Sequence, residues 1–318
     1  METRTLGKTG MQVSVLALGG ADIGFKDLSL SKTERLLRAA LDLGVNVIDT
    51  AECYGVSEEK IGRAIPARRQ YYLFTKCGHA SGFDLPDWSP QLLEQSIERS
   101  LRRLRTDYLD VIQLHSCSEQ ILRQSDVIQV LQRAKQAGKT RYIGYSGDGQ
   151  DSMYAIKSGV FDTLQTSINI ADQEAIDVTL PLAKERGIGI IVKRPLARVA
   201  WTVPKRIGRR TRALLRKLLW VVPSLRGHPS GRLNDTYLGR FDKLDYEFLK
   251  RGGAQAVETA LRFTLSVDGV HSVLVGSLKP QRWRQNAEIV NVGPLDKEIF
   301  EAIRARWRIA ARPDWTEH

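Results

Sequence analysis

The sequence predicts an α/β fold in which eight parallel strands close into a (β/α)8 barrel. Three observations predict it. Apolar runs of strand length alternate with amphipathic helical stretches, the pattern of βαβ units. There are eight such runs, nearly continuous in apolar residues, as required when both faces of a strand are buried. The turn after the first run, GGADIGF, is not the GxGxxG of an open dinucleotide-binding sheet.

The strand candidates in order are 13–20, 45–50, 71–76, 108–115, 140–146, 163–169, 187–195 and 271–277. A short N-terminal β-hairpin precedes the barrel. Helices are predicted between strands. One runs from Ser31 to Leu43 and stops before Gly44. Another opens at Ser89-Pro90, with Ser as cap and Pro at the first helical position, and runs through Arg105. Further helices span 119–137, 254–267 and 280–289. Residues 196–252 break the rhythm. That span is too long for an ordinary βα loop, and βα loops sit on the catalytic face of a barrel. It is read as an insertion or lid after strand 7 within one domain, 1–318. A surface insertion without catalytic consequence is the plainer alternative.

Composition narrows the function classes. At 318 residues and 42 % hydrophobic, the chain can bury a sizeable core. No apolar stretch is long enough to span a bilayer, and the N-terminus lacks the pattern of a signal peptide. The three cysteines, Cys53, Cys77 and Cys117, show no CxxC spacing and no histidine at metal-ligand spacing, so no metal is expected. A reducing, cytoplasmic setting follows. The net charge is +12, and Lys205, Arg206, Arg209, Arg210, Arg212, Arg216 and Lys217 crowd one short segment. Without interleaved aromatics or a nucleic-acid-binding motif, this reads as a solvated basic face or an attractor of anionic ligands, and no nucleic-acid partner is expected.

The chemistry-bearing residues share one position. Asp49 ends the second strand, Lys76 the third and His115 the fourth, with Tyr54 on the loop after Asp49. The carboxyl ends of barrel strands are where catalytic groups collect. Each alone has a plain explanation: a helix cap, a snorkelling lysine, a hydrogen-bonded core histidine. Four on successive units point to a site. Lysine beside a phenol favours phenolate and lowers the tyrosine pKa. An aspartate paired with that lysine keeps it charged and in place.

The segments VNVIDTAECYGVSEEKIGRAI, YYLFTKCG and YLDVIQLHS resemble the second, third and fourth units of the aldo-keto reductase family. The resemblance runs from LGKTGMQVSVLALGG to VLVGSLKPQRWRQNAEI. It implies that Asp49, Tyr54, Lys76 and His115 are a catalytic tetrad and that NADPH is the hydride donor to a small-molecule carbonyl. In VGSLKPQRWRQN it implies that Gly276, Ser277 and Lys279 lie near the adenosine phosphate. Arg282 is implied on the 2′-phosphate, with Gln285 beside Asn286 at the adenine. Ser146 and Gln165 match the family's nicotinamide-binding residues, while Gly147 and Lys193 stand where the family often has asparagine and a stacking aromatic. Leu196 and Ala197 are expected near the pyrophosphate, and Gly19, Gly20 and Asp22 along the same cleft. Trp88 and Trp201 fall on catalytic-face loops and read as pocket walls or as ordinary packing. The alternative function is an NADPH-binding regulatory or scaffold subunit with little turnover, because the family includes such barrels. A monomer or small homo-oligomer is expected.

Overall fold

The computed structural model describes residues 1–65, 71–124, 126–202, 230–312 and 315, with backbone alone for 230–236. Two short strands, β1 (Thr3–Thr5) and β2 (Gln12–Ser14), form an antiparallel hairpin. Eight parallel strands then close into a barrel: β3 (Leu16–Gly19), β4 (Val47–Asp49), β5 (Tyr72–Cys77), β6 (Leu109–His115), β7 (Thr140–Ser146), β8 (Thr163–Ser167), β9 (Gly189–Lys193) and β10 (Ser272–Val275). Each pairs with the next, and β10 returns to β3 through Val273 opposite Leu16.

The first predicted strand, 13–20, is two elements. The Ser14 N–H donates to Asn46 Oδ1 at 2.7 Å and the Val15 N–H to the Glu2 carbonyl at 3.0 Å. These bonds turn the chain between hairpin and barrel. The hairpin closes the floor of the barrel: Leu6, Met11 and Val13 cluster with the inward Ala17, Val47, Phe74, Val111 and Ile191. Gly7, at φ 48°, is pressed so closely on β9 that a Cβ would meet the Gly187 carbonyl oxygen at 2.4 Å.

Side chains alternate along a strand, and the alternation builds the site. Val47 and Asp49, Phe74 and Lys76, and Val111 and Gln113 are residues i and i+2 of β4, β5 and β6. The apolar member of each pair fills the floor, and the polar member forms the layer above it. The register sets Lys76 level with Gln113, while β4 is staggered by one layer, with Asp49 opposite Phe74. Residues of the other parity, Ile48, Leu73 and Ile112, pack outward against the helices.

Helix capping follows the sequence with small offsets. Ser89 caps the helix Pro90–Leu104, accepting from Leu92 N–H at 3.3 Å, and Arg105 ends it in the left-handed region at φ 54°. The first long helix is Leu30–Leu41, and its cap is Ser29 rather than Ser31. The single helix predicted over 119–137 is two, Glu119–Arg123 and Asp126–Gln136, the first capped by Ser118. The helix Lys297–Ala310 was not anticipated.

In the span 196–252, the basic segment 205–217 lies outside the described residues. The described remainder divides. Ala197–Thr202 is a tight turn beside the cleft, and Leu196 lines the cleft. The helix Ser230–Leu244 docks on the loop after β8. Arg240 donates to the Ala171 carbonyl at 3.1 Å, and the nearby Tyr246 hydroxyl donates to the Ile170 carbonyl at 2.8 Å. No helix among the described residues is long and apolar enough to cross a membrane.

Candidate active site

At the carboxyl ends of the strands lies a cleft of about 460 Å³ lined by Gly19, Gly20, Asp22, Asp49, Tyr54, His115, Ser146, Gln165, Lys193, Leu196 and Gly276, among others. Lys76 beneath it is fully buried and ion-paired to Asp49, itself 2 % exposed. The ammonium also donates to the Thr50 carbonyl at 2.7 Å. Asp49 Oδ2 accepts from Gln113 at 3.2 Å and from Gln165 at 2.9 Å. Burial disfavours the ammonium, but Asp49 outweighs it, and the Lys76 pKa is raised. Lys76 Nζ is 5.2 Å from the Tyr54 ring centre, and Tyr54 meets His115 edge to face at 5.7 Å.

The tyrosine shift differs in sign from the sequence expectation. Burial raises the Tyr54 pKa, and the pull of Lys76 in the opposite direction does not overcome it. Asp49 cancels part of that pull. Tyr54 is therefore a neutral phenol in this arrangement. Burial and the nearby Lys76 hold His115 well below its usual range, so its imidazole is neutral at physiological pH.

The opposite wall is built differently. Lys193 pairs with Asp148 at 2.8 Å, and Arg194 Nη1 stands 3.8 Å from the same carboxylate. Asp148 also accepts from Thr166 Oγ1 at 2.9 Å and Ser167 N–H at 2.6 Å. Burial alone would raise this carboxyl, yet Lys193 and Arg194 hold it below the usual range. Gly147 has a local reason: a Cβ there would stand 2.5 Å from the Tyr145 hydroxyl and 2.6 Å from its ring. Tyr145, donating to the Cys117 carbonyl at 2.6 Å, fills the space a longer side chain would need. Ser146 Oγ meets Gln165 Oε1 at 3.3 Å, so both amide-matching residues sit at the cleft floor.

The third group, Ser277, Lys279, Arg282, Gln285 and Asn286, gathers at the start of the helix Pro280–Asn291 after β10. Trp283, fully buried, anchors this turn by donating to the Ser277 carbonyl at 3.3 Å. Lys279, Arg282 and Gln285 are exposed, Arg282 donates to Gln285 at 3.2 Å, and Asn286 is buried. Free N–H groups at a helix start beside Lys and Arg suit a phosphate. The glycines on the cleft wall and the amide and hydroxyl donors on its floor suit a nicotinamide dinucleotide.

Comparison with known proteins fits this geometry. The family model described as Aldo/keto reductase family matches residues 15–308. The chain belongs to that family. It is 29 % identical to L-galactose dehydrogenase of Arabidopsis thaliana, covering 96 % of this chain and 94 % of the relative. It is 26 % identical to the NADH-specific methylglyoxal reductase of Escherichia coli, covering 94 % and 96 %. The aldo-keto reductase AKR11C1 from Bacillus halodurans, solved in its holo form, superposes with a TM-score of 0.75 at 26 % identity and covers 99 % of each chain. Members of this oxidoreductase family work with nicotinamide cofactors.

Against this aldo-keto reductase frame, the two tryptophans separate. Trp88 packs on His79 at 5.0 Å and donates from Nε1 to the His115 carbonyl at 3.2 Å. Trp201 is not among the residues lining the cleft. Its ring meets Phe241 at 5.5 Å, and its Nε1 is buried with no hydrogen-bond partner among the described residues. Sequence reasoning also missed four features. Gln113 was available from the period of two, being two residues before His115. Asp148 follows Gly147 directly, but its pairing with Lys193 crosses from one βα loop to the end of another strand. Behind the Tyr54 loop, buried Glu52 pairs with Arg99, Arg103 donates to the Glu52 carbonyl at 3.3 Å, and Glu58 accepts from Thr75 at 2.7 Å. Finally, spacing predicted no metal group, yet the fold brings the ligand atoms of Cys53, His79 and His115 within 4.8 Å of one another.

Proposed function

We propose that the chain reduces an aldehyde or ketone to an alcohol with NADPH, Tyr54 giving the proton. One observation carries this reading: the neutral Tyr54 phenol faces the cleft between His115 and the Lys76–Asp49 ion pair. Bound in the cleft, NADPH supplies the hydride. The remaining work belongs to the chain. His115, neutral, donates a hydrogen bond that orients the substrate carbonyl. Tyr54 transfers its proton to the oxygen as negative charge develops there, a step for which positioned acid catalysis supplies about 10²–10⁴-fold. Lys76 stabilises the phenolate left behind, and Asp49 holds the ammonium in place. Asp49 is in turn fixed by Gln113 and Gln165. Arg282 would hold the 2′-phosphate, with Lys279 near the adenosine phosphate, and this is the reason for choosing NADPH over NADH. Three free cysteines, Cys53, Cys77 and Cys117, accord with work in the reducing cytoplasm on a small carbonyl compound.

The test is loss of reduced-nicotinamide absorbance with a panel of aldehydes and ketones. Tyr54→Phe is expected to cut turnover by about 10²–10⁴-fold while NADPH still quenches tryptophan fluorescence. Unchanged turnover in that variant overturns the assignment. NADPH binding without turnover of any carbonyl in the wild-type chain favours the regulatory reading.

A further inference from the structure

Cys53, His79 and His115 come from three successive strand ends. Cys53 lies on the loop after β4, His79 on the loop after β5, and His115 is the last residue of β6. All three are half-buried, and His115 lines the cleft. Their ligand atoms lie within 4.8 Å of one another, and Cys53 Sγ stands 3.3 Å from His115 Nδ1. In tetrahedral zinc sites, with Zn–S about 2.3 Å and Zn–N about 2.0–2.1 Å, neighbouring ligand atoms are roughly 3.3–3.6 Å apart. The Cys53–His115 edge already has that length, and the His79 ligand atom, within 4.8 Å of both, completes the triangle by closing in to about 3.3–3.6 Å.

A second observation is independent of those distances. His79 Nδ1 faces Asp87 Oδ2 at 3.2 Å, which leaves Nε2 for a ligand. Asp87 is itself held, its Oδ1 accepting from the Ala80 N–H at 2.7 Å. A carboxylate behind a histidine fixes its tautomer and ring orientation, the usual support of a metal-binding imidazole. The Trp88 ring presses on His79 at 5.0 Å, and its indole N–H holds the His115 carbonyl. Two ligands of the triangle are thus braced by one side chain.

We propose that Cys53, His79 and His115 bind a thiophilic divalent cation of the zinc class, and that this ion competes with the carbonyl substrate. One sulfur and two imidazole nitrogens are a borderline-soft set with a fourth position open. Oxygen-seeking magnesium and calcium do not match it. Binding is a proton-for-metal exchange with no change in oxidation state. The Cys53 S–H bond breaks, its proton leaves to solvent, and the sulfur and two ring nitrogens each give an electron pair to the ion. The cost falls on catalysis, because His115 is then occupied.

The test titrates Co²⁺ into the full chain without cofactor. The expected result is one equivalent of tetrahedral cobalt, with visible d–d bands and a near-ultraviolet thiolate-to-cobalt band, displaced by Zn²⁺. Cys53→Ser is expected to remove the thiolate band, and Asp87→Asn to weaken binding by about 10–100-fold. Circular dichroism and the melting temperature check that each variant is folded. A thiolate band that survives Cys53→Ser, or the absence of tetrahedral cobalt at one equivalent, overturns the proposal. The inhibition arm rests on the reductase reading, the spectra do not, so the two can fail separately. Zn²⁺ is expected to raise KM for the carbonyl in the wild type, and to do so less in His79→Asn. An effect equal in both proteins overturns the competition.

Discussion

The two walls of the cleft solve the problem of buried charge in different ways. On the Tyr54 wall, one ion pair, Lys76–Asp49, is sunk in the barrel and fixed from three directions by Thr50, Gln113 and Gln165. On the opposite wall, Asp148 is shared between Lys193 and Arg194 and sits nearer the surface, the Lys193 side chain being 16 % exposed against none for Lys76. The first wall is held by strand register, so its residues appear at the ends of successive strands. The second is held by Asp148, on the loop after β7, reaching the ends of β8 and β9, and a loop residue leaves no period in the sequence. A deep, fully paired charge tolerates little change, whereas a shared, shallow one lets Lys193 stand where a stacking ring is common.

That contrast can be broken first at Lys76. Lys76→Met leaves Asp49 buried without its cation, and a loss of about 3–5 kcal/mol is expected, read by chemical denaturation. A loss under 1 kcal/mol would show the pair to be dispensable. Arg282→Ala tests the phosphate end. Removing charged hydrogen bonds of this kind costs about 1.5–3 kcal/mol, so NADPH affinity is expected to fall steeply while NADH affinity, measured by the same fluorescence quench, stays nearly level. Equal losses for both cofactors would detach Arg282 from the 2′-phosphate. Gly147→Asn sharpens the opposite wall. Forcing a side chain into the Tyr145 ring is expected to cost about 1–3 kcal/mol by thermal unfolding, and restoring the family's asparagine should not rescue nicotinamide binding.

The smallest effect is in the pH profile of carbonyl reduction. In the proposed reaction the proton donor is the neutral phenol, and burial raises the Tyr54 pKa. The active form therefore persists as pH rises, and kcat/KM is expected to fall only above the ordinary phenol value of about 10. His115 is held low by burial and Lys76, so no inflection is expected near its ordinary value of about 6.5. A break at neutral pH would mean that one of these two groups titrates there.

Most of the barrel was legible because buried parallel strands write themselves as unbroken apolar runs. Seven of the eight predicted barrel strands correspond to observed strands with ends shifted by a few residues, while 13–20 divides at Ser14. That division depends on Asn46, distant in sequence. The tetrad positions were legible for the same reason, since Asp49, Lys76 and His115 mark strand ends. The sign of the Tyr54 shift was not, because it weighs burial against an ion pair whose partner cancels part of the pull. The placement of Trp201 against Phe241 and the gathering of Cys53, His79 and His115 were illegible too. Trp201 meets Phe241 only when the long insertion folds back on itself, and the other three meet only when neighbouring strand ends aim their loops together.

The hairpin at the floor has a consequence for traffic. Leu6, Met11 and Val13 seal the amino-terminal end, with Gly7 pressed on Gly187 and the Tyr142 hydroxyl tied to the Thr9 carbonyl at 2.5 Å. The barrel is a cup with one mouth. A molecule that enters must leave the way it came, past whatever entered after it. Gln165 and Ser146 line the cleft at that mouth, so on the proposed reading a cofactor seated beside them would be bound before the carbonyl and released after it. Opening the floor by trimming residues 1–11 would expose core rather than create a second door.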